Sequence, residues 1–176
     1  MLCCLKKETI KIMIKYIAAV FISIIFVLGC SKDDICTGET LTTPKLIIKF
    51  KSSINNNVPK QVTNLTVTTI IENEIVEIYK SVTTDSIAIP LNTATELTIF
   101  QFTKDNTTDN PGNPDNITFN YQRDYVYINR ACAFKTYYKN LVSELEVVEN
   151  ENWINEIIVN ETSVEDENTT HVTIFH

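Results

Sequence analysis

Cys30 is the residue of this chain whose surroundings most clearly prescribe a chemistry. It ends the segment Val27-Leu28-Gly29-Cys30, which closes an apolar run from Ile17 to Leu28 of 12 residues without a charge. Lys6, Lys7, Lys11 and Lys15 precede that run. A membrane-spanning helix needs about 20 apolar residues, so the shorter run reads as the h-region of a secretory signal. The small Gly29 before Cys30 suits cleavage between the two. The chemistry implied is that of a lipobox: removal of residues 1–29 and acylation of the cysteine by palmitate or a similar chain. One acyl chain anchors marginally and two or more anchor firmly. The competing reading is an N-terminal membrane helix extending back through Ile10 and Ile12, which Lys11 and Lys15 interrupt. Initiation at Met13 would give an equally complete signal. From either start, Cys3 and Cys4 leave with it.

Two further thiols, Cys36 and Cys132, remain after cleavage. In an oxidising envelope compartment a disulfide is favoured over two unpaired buried thiols. For a loop of about a hundred residues, the chain-entropy model gives such a bridge roughly 4–5 kcal/mol. It would also limit the free tether after Cys30 to about 20 Å at 3.3 Å per residue. A metal site is disfavoured, because only His171 and His176 could join the thiols.

Other constellations are weaker. No Gly-x-Ser-x-Gly motif is present, and 3 glycines exclude a glycine-rich phosphate loop. The composition therefore points away from an enzyme and implies no cofactor and no metal. The loop from Asp105 to Asp115 offers Asp105, Asp109 and Asp115 as hard oxygen ligands for a cation such as Ca²⁺. Its glycine comes two places late for an EF-hand and no Glu closes it, so a polar hairpin loop is the preferred reading. Arg130 lies near Cys132 among Tyr125, Tyr127, Phe134, Tyr137 and Tyr138. Stacking on tyrosine or pairing with a carboxylate is preferred there to an anion site. Trp153 is read as core or rim, not as a sugar platform.

Residues 30–176 carry 11 Lys+Arg against 21 Asp+Glu, a formal balance of −10. That excess argues against nucleic acid, which needs clustered basic residues. It argues equally against docking on anionic headgroups.

The elements that must position these groups are short strands. Residues 30–43, polar and small, read as the lipidated cysteine and a linker, and residues 44–176 as one domain. In Lys45–Lys51, Leu46, Ile48 and Phe50 share one face and lysines the other. Glu72-Asn73-Glu74 makes a tight connection between the strand around Leu65, Val67 and Thr69 and that of Ile75–Tyr79. Pro90 places Ile87–Leu91 at an edge or strand end. Leu97–Phe102, apolar on both faces, reads as central, and Ile117, Phe119 and Tyr121 alternate with polar residues. Tyr125–Ala133, Leu141–Val148, Trp153–Val159 and His171–Phe175 follow. Tyr137–Glu149 fits a helical period as well as a strand. Nine or ten such segments predict an all-β protein: an antiparallel β-sandwich of immunoglobulin-like or related Greek-key topology, preceded by a signal-peptide helix. A closed barrel is the alternative. The tyrosine-corner spacing is absent, since Tyr127 lies five residues before Cys132.

From Asp33 onward the chain resembles a family of small uncharacterised Bacteroidota lipoproteins. The residues that carry the resemblance are Asp34-Ile35-Cys36, Thr43-Pro44, Asp115–Tyr121, Val126–Cys132 with its Arg-Ala-Cys, Trp153-Ile154 and His171–Phe175. The resemblance implies an outer-membrane address without an assigned activity, and it too suggests that Cys36 and Cys132 belong together. Ser31-Lys32-Asp33-Asp34 resembles the acidic signal that sends such lipoproteins to the cell surface; an ordinary solvated linker is the other reading. Asp85-Ser86-Ile87 resembles their O-glycosylation acceptor, which makes Ser86 a candidate site. The expected function is that of a lipid-anchored, non-catalytic binding or interaction module with an outer-membrane protein or glycan partner. The alternative is a structural accessory lipoprotein of an outer-membrane assembly.

Overall fold

The computed structural model describes residues 43–55, 57–149 and 151–176. The expectations placed on residues 1–42 lie outside the described residues: the signal-peptide helix, the cleavage at Gly29-Cys30, the sorting signal and Cys36.

Among the described residues there are nine strands and no helix. They are β1 Leu46–Lys51, β2 Val62–Ile71, β3 Glu74–Thr84, β4 Ser86–Ile89, β5 Leu97–Lys104, β6 Asn113–Asn129, β7 Ala133–Leu145, β8 Glu156–Val159 and β9 Val172–Phe175. They form a four-stranded sheet in the order β4-β1-β9-β8 and a five-stranded sheet in the order β3-β2-β5-β6-β7. The fold is thus an all-β sandwich of two packed sheets. β1 runs parallel to β9, whereas the β1–β4, β2–β3, β2–β5, β5–β6 and β8–β9 pairs are antiparallel. β1 pairs with β4 in one sheet while β2 pairs with β3 in the other. Successive strands thus cross between the two sheets, in an order that differs from that of immunoglobulin domains.

The core forms where strand alternation points both sheets inward. Leu46, Ile48 and Phe50 of β1 are each 0% exposed, as their period-two spacing requires. They meet Val67, Phe100, Phe102, Ile117 and Phe119 of the larger sheet, all buried. Phe100 packs edge-to-face with Phe102 and Phe119 at centroid distances of 6.3 and 6.2 Å, the geometry favoured by the ring quadrupoles.

Two expectations need correction, and one open alternative is resolved. β5 is indeed the middle strand of its sheet, but only one of its faces is covered. Leu97 and Ile99 are 46% and 51% exposed, because nothing among the described residues packs on the outer side of that sheet. Tyr137–Glu149 contributes to β7 and not to a helix; pairing with β6 decides what local periodicity left open. Tyr125–Ala133 is no separate strand either. β6 runs unbroken from Asn113 to Asn129, and the chain turns there.

The β2–β3 connection has a conformation its residues do not favour. Glu72 and Asn73 both take positive φ, 52° and 67°, as the two-residue type I′ hairpin turn demands. Glutamate lacks the short side chain that eases this conformation. Replacing the pair by Asn-Gly (Glu72→Asn with Asn73→Gly) should raise stability by about 1 kcal/mol, read as a higher urea midpoint at unchanged m.

Candidate functional site

The described chain divides into a main body, Leu41–Ile128 with Phe134–His176, and a second unit to which the hairpin connection Asn129–Ala133 belongs. In that connection Asn129 Oδ1 accepts hydrogen bonds from the amides of Ala131 and Cys132, at 3.0 and 2.7 Å. These bonds form an Asx-type turn. Ala133 takes a positive φ of 55°. Arg130 is exposed, and among the described residues no ring or carboxylate meets it. The stacking expected of Arg130 falls instead to Arg123, whose guanidinium lies 5.8 Å from the Tyr125 ring centroid. Arg123 also donates to the Thr93 carbonyl at 2.9 Å.

In the main body, the three carboxylates of the loop after β5 do not converge. Asp115 is 3% exposed on the inner face of β6. Its Oδ2 accepts from the Ile154 amide at 2.8 Å and its Oδ1 from Asn152 Nδ2 at 3.0 Å. Burial pushes its pKa above the ordinary carboxylate range, against the opposing pull of those bonds and one from the Trp153 backbone. Asp105 stands at φ 56° and accepts from the Thr63 hydroxyl, while its amide donates to the Thr63 carbonyl at 2.9 Å. Asp109 is exposed. Gly112, at φ 77°, fits a place where a Cβ would come within 2.4 Å of the Lys104 carbonyl oxygen. Among the described residues no group of three or more His, Cys, Asp or Glu side chains could hold a metal ion. The loop's polar groups instead fix its own turns: Asn110 Oδ1 accepts from the Gly112 amide at 3.0 Å, and the Thr107 amide donates to the Asn110 carbonyl at 2.8 Å.

Both histidines are buried in structural roles. His171, 1% exposed, accepts at Nδ1 from the Ile47 amide at 3.0 Å, and its own amide donates to the Ile47 carbonyl at 3.0 Å. It thereby extends the β1–β9 pairing by one residue. Burial lowers its pKa below the usual imidazole value, and Asp166, Glu161 and Glu167 oppose that shift. His176 is 5% exposed, and its ring meets Trp153 edge-to-face at 5.5 Å. Burial lowers its pKa as well; the hydrogen bond at the Lys60 carbonyl opposes this, and the charges of Lys60 and Lys104 reinforce it. Trp153, half-buried, donates from Nε1 to the Phe102 carbonyl at 3.1 Å. It belongs to the core margin, as its sequence context suggested.

Ser86 is exposed at the start of the edge strand β4, with its hydroxyl donating to Asp85 Oδ1 at 3.3 Å. Cys132 is half-buried and engaged in an interaction of its own. Sequence reasoning missed the pairing of Asp115 with Ile154. A signal was present: Asp115 shares strand parity with Ile117, Phe119 and Tyr121, which puts its carboxylate on the inward face.

Another feature escaped it too. Ile70, Ile75 and Ile99 are 68%, 76% and 51% exposed. They line one shallow depression on the outer face of the larger sheet, together with Thr68 and Gln101. Ile70 and Ile75 are directly paired across β2 and β3.

A family model described as a family of unknown function (DUF6452) matches residues 64–176. No curated protein and no solved structure matches the chain. The matched region starts within β2, although β1 lies between β4 and β9 and supplies Leu46, Ile48 and Phe50 to the core.

Proposed function

We propose that this chain, which belongs to the DUF6452 family of unknown function, is an exported envelope lipoprotein acting as a non-catalytic docking module. Its anchor is the acylated Cys30, its membrane the outer membrane of a Bacteroidota-type envelope, and its partner another envelope protein or a glycan. The observation that carries the docking role is the contiguous row Ile70, Ile75 and Ile99 on an uncovered sheet face. Single exposed apolar residues are ordinary, whereas contiguous ones mark interaction surfaces. The groups with chemical potential support the same reading. Asp115, His171 and His176 are committed to backbone partners inside the sandwich. A disulfide between Cys36 and Cys132 belongs to this proposal, supported by the engaged state of Cys132.

Crosslinking on intact cells, followed by purification of the lipoprotein, tests the docking role. One stoichiometric partner should be recovered with the native chain. Ile75→Lys with Ile99→Lys should lose it while leaving the thermal midpoint nearly unchanged, since both side chains are exposed. Equal recovery with this variant would overturn the assignment of that face. The anchor is read separately, from the mass of the mature N-terminus and from release of Cys30→Ser into the soluble fraction.

A further inference from the structure

The strands β6 and β7 continue past the sandwich as a two-stranded arm. β5 pairs β6 only as far as Leu97 opposite Asn120. Beyond that point β6 runs on to Asn129 with β7 as its strand neighbour. Strand parity carries the core-facing side outward along the arm. After the buried Tyr121 come Tyr125 and Tyr127 on β6; before the buried Tyr138 and Thr136 comes Phe134 on β7. These three rings are 55%, 56% and 62% exposed. Tyr127 and Phe134 touch edge-to-face at 5.4 Å. The opposite side of the arm carries Val126, Ile128 and Tyr137 around Lys135. A lone two-stranded ribbon is marginal in water, and this one is apolar on both sides.

Charge separates the arm from the rest of the molecule. Residues 122–140 hold Arg123, Arg130, Lys135 and Lys139 against Asp124 alone, in a chain of formal net charge −7. Both arginines of the sequence fall in this stretch. The described chain also begins beside the arm. The Thr136 amide donates to Thr43 Oγ1 at 3.1 Å, and Thr43 lines a concavity with Tyr125, Phe134 and Thr136. Between Cys30 and Thr43 lie 12 residues, 31–42, which span at most about 40 Å when fully extended.

We propose that the β6–β7 arm is a second membrane contact, resting its exposed rings on the anionic headgroups of the bilayer that holds Cys30. Tyr125, Tyr127 and Phe134 occupy the interfacial layer, where amphipathic rings are favoured. Of the local cations Arg130 is exposed, whereas Lys135 is buried against the Tyr137 ring and Lys139 is paired with Asp124; an exposed arginine near an anionic surface adds attraction. The argument from net charge against headgroup docking holds for the body and is reversed locally on the arm. This inference rests on the anchored reading of Cys30.

The test uses the mature chain from Ser31, held on nickel-chelating vesicles by an N-terminal oligohistidine tag in place of the lipid. Trp153, the single native tryptophan, neighbours Asp115, about 40 Å along β6 from Tyr127 at the usual strand rise. It serves as an internal reference. Brominated lipids should leave wild-type emission unchanged and quench the added emission of F134W. Without the tag, the chain should bind phosphatidylcholine–phosphatidylglycerol vesicles, and R130Q should bind them about fivefold more weakly. F134W emission insensitive to brominated lipid overturns the proposal; should F134W fold poorly by circular dichroism, Y127W decides in its place. Binding to phosphatidylcholine alone that equals binding to the mixed vesicles overturns the role of charge. The tag holds the chain whether or not cells acylate Cys30, so failure of the arm and failure of the anchor are read independently.

Discussion

Asp115→Ala should lower the stability of the domain by about 3 kcal/mol, because it strips partners from buried donors that have no water to replace them. The carboxylate accepts from the Ile154 amide at 2.8 Å and from Asn152 Nδ2 at 3.0 Å. Asn152 in turn donates to the Glu146 carbonyl at 2.9 Å and accepts from the Val148 amide at 2.7 Å. One side chain on β6 thus fixes the path of the chain from the end of β7 towards β8, from one sheet to the other. For a domain of this size the loss corresponds to a fall in Tm of roughly 10 °C. Asp115→Asn should cost less than Ala, since its oxygen can still accept from Ile154, though its amide would then face that of Asn152. If Ala and Asn both leave the urea midpoint in place, the carboxylate does not join the sheets. The pH dependence has a definite sign. Burial raises the folded-state pKa of Asp115 above the ordinary value of 3.8. The pH-linked part of its contribution is therefore full below about pH 3.8 and is lost as pH rises through the folded value, while the bonds accepted from Ile154 and Asn152 supply the part that Ala removes. Asp115→Asn should remove that slope.

His171→Ala should cost about as much, roughly 3 kcal/mol, by leaving the Ile47 amide without its acceptor and a cavity under β1. In the native chain, protonation disrupts the same bond without any substitution. Nδ1 must be unprotonated to accept from Ile47, and burial holds both His171 and His176 below the usual imidazole pKa of 6.5. The unfolded chain then binds more protons than the folded one as pH falls below about 6.5. The histidine contribution is complete above that pH and is lost progressively on acidification towards the folded-state values. Urea midpoints measured between pH 7.5 and pH 5 should decline, and the decline should be shallower in His171→Ala. A slope that is unchanged in this variant would mean that His171 plays no part in it. The acidic body brings Asp166, Glu161 and Glu167 close enough to favour the charged ring, which narrows the window without reversing its sign.

Much of the fold was legible because strands announce their faces. Alternation at Leu46, Ile48 and Phe50, or at Ile117, Phe119 and Tyr121, is a local property that survives into the sandwich unchanged. Pro90 likewise placed the short β4 at an edge, since a residue without an amide proton cannot serve an inner ladder. The Glu72-Asn73 turn was legible as a connection, though not its left-handed strain. The error at Leu97 and Ile99 has a different origin. Two-sided apolar character signals burial on both faces only if the fold supplies a second layer, and no local rule says whether it does. The helical period in Tyr137–Glu149 was a coincidence of spacing that pairing with β6 resolved.

The candidate chemistry divides in the same way. The sequence alone determined the apolar run before Cys30, the acid excess, the want of any nucleophile motif, and the presence of Asp105, Asp109 and Asp115 in one loop. Chain order is enough for each of these. Only the tertiary structure decided what the carboxylates and histidines do. Asp115 and Ile154 are 39 residues apart, and His171 and Ile47 are 124 apart. Hydrogen bonds across such separations exist only once two sheets have packed, because burial is what turns an available polar group into a required partner. The same packing left Ile70, Ile75 and Ile99 on an open face and carried Tyr125, Tyr127 and Phe134 out past the core. Sequence gives these residues their apolar character; the end of the β5–β6 pairing and the uncovered sheet face give them their exposure.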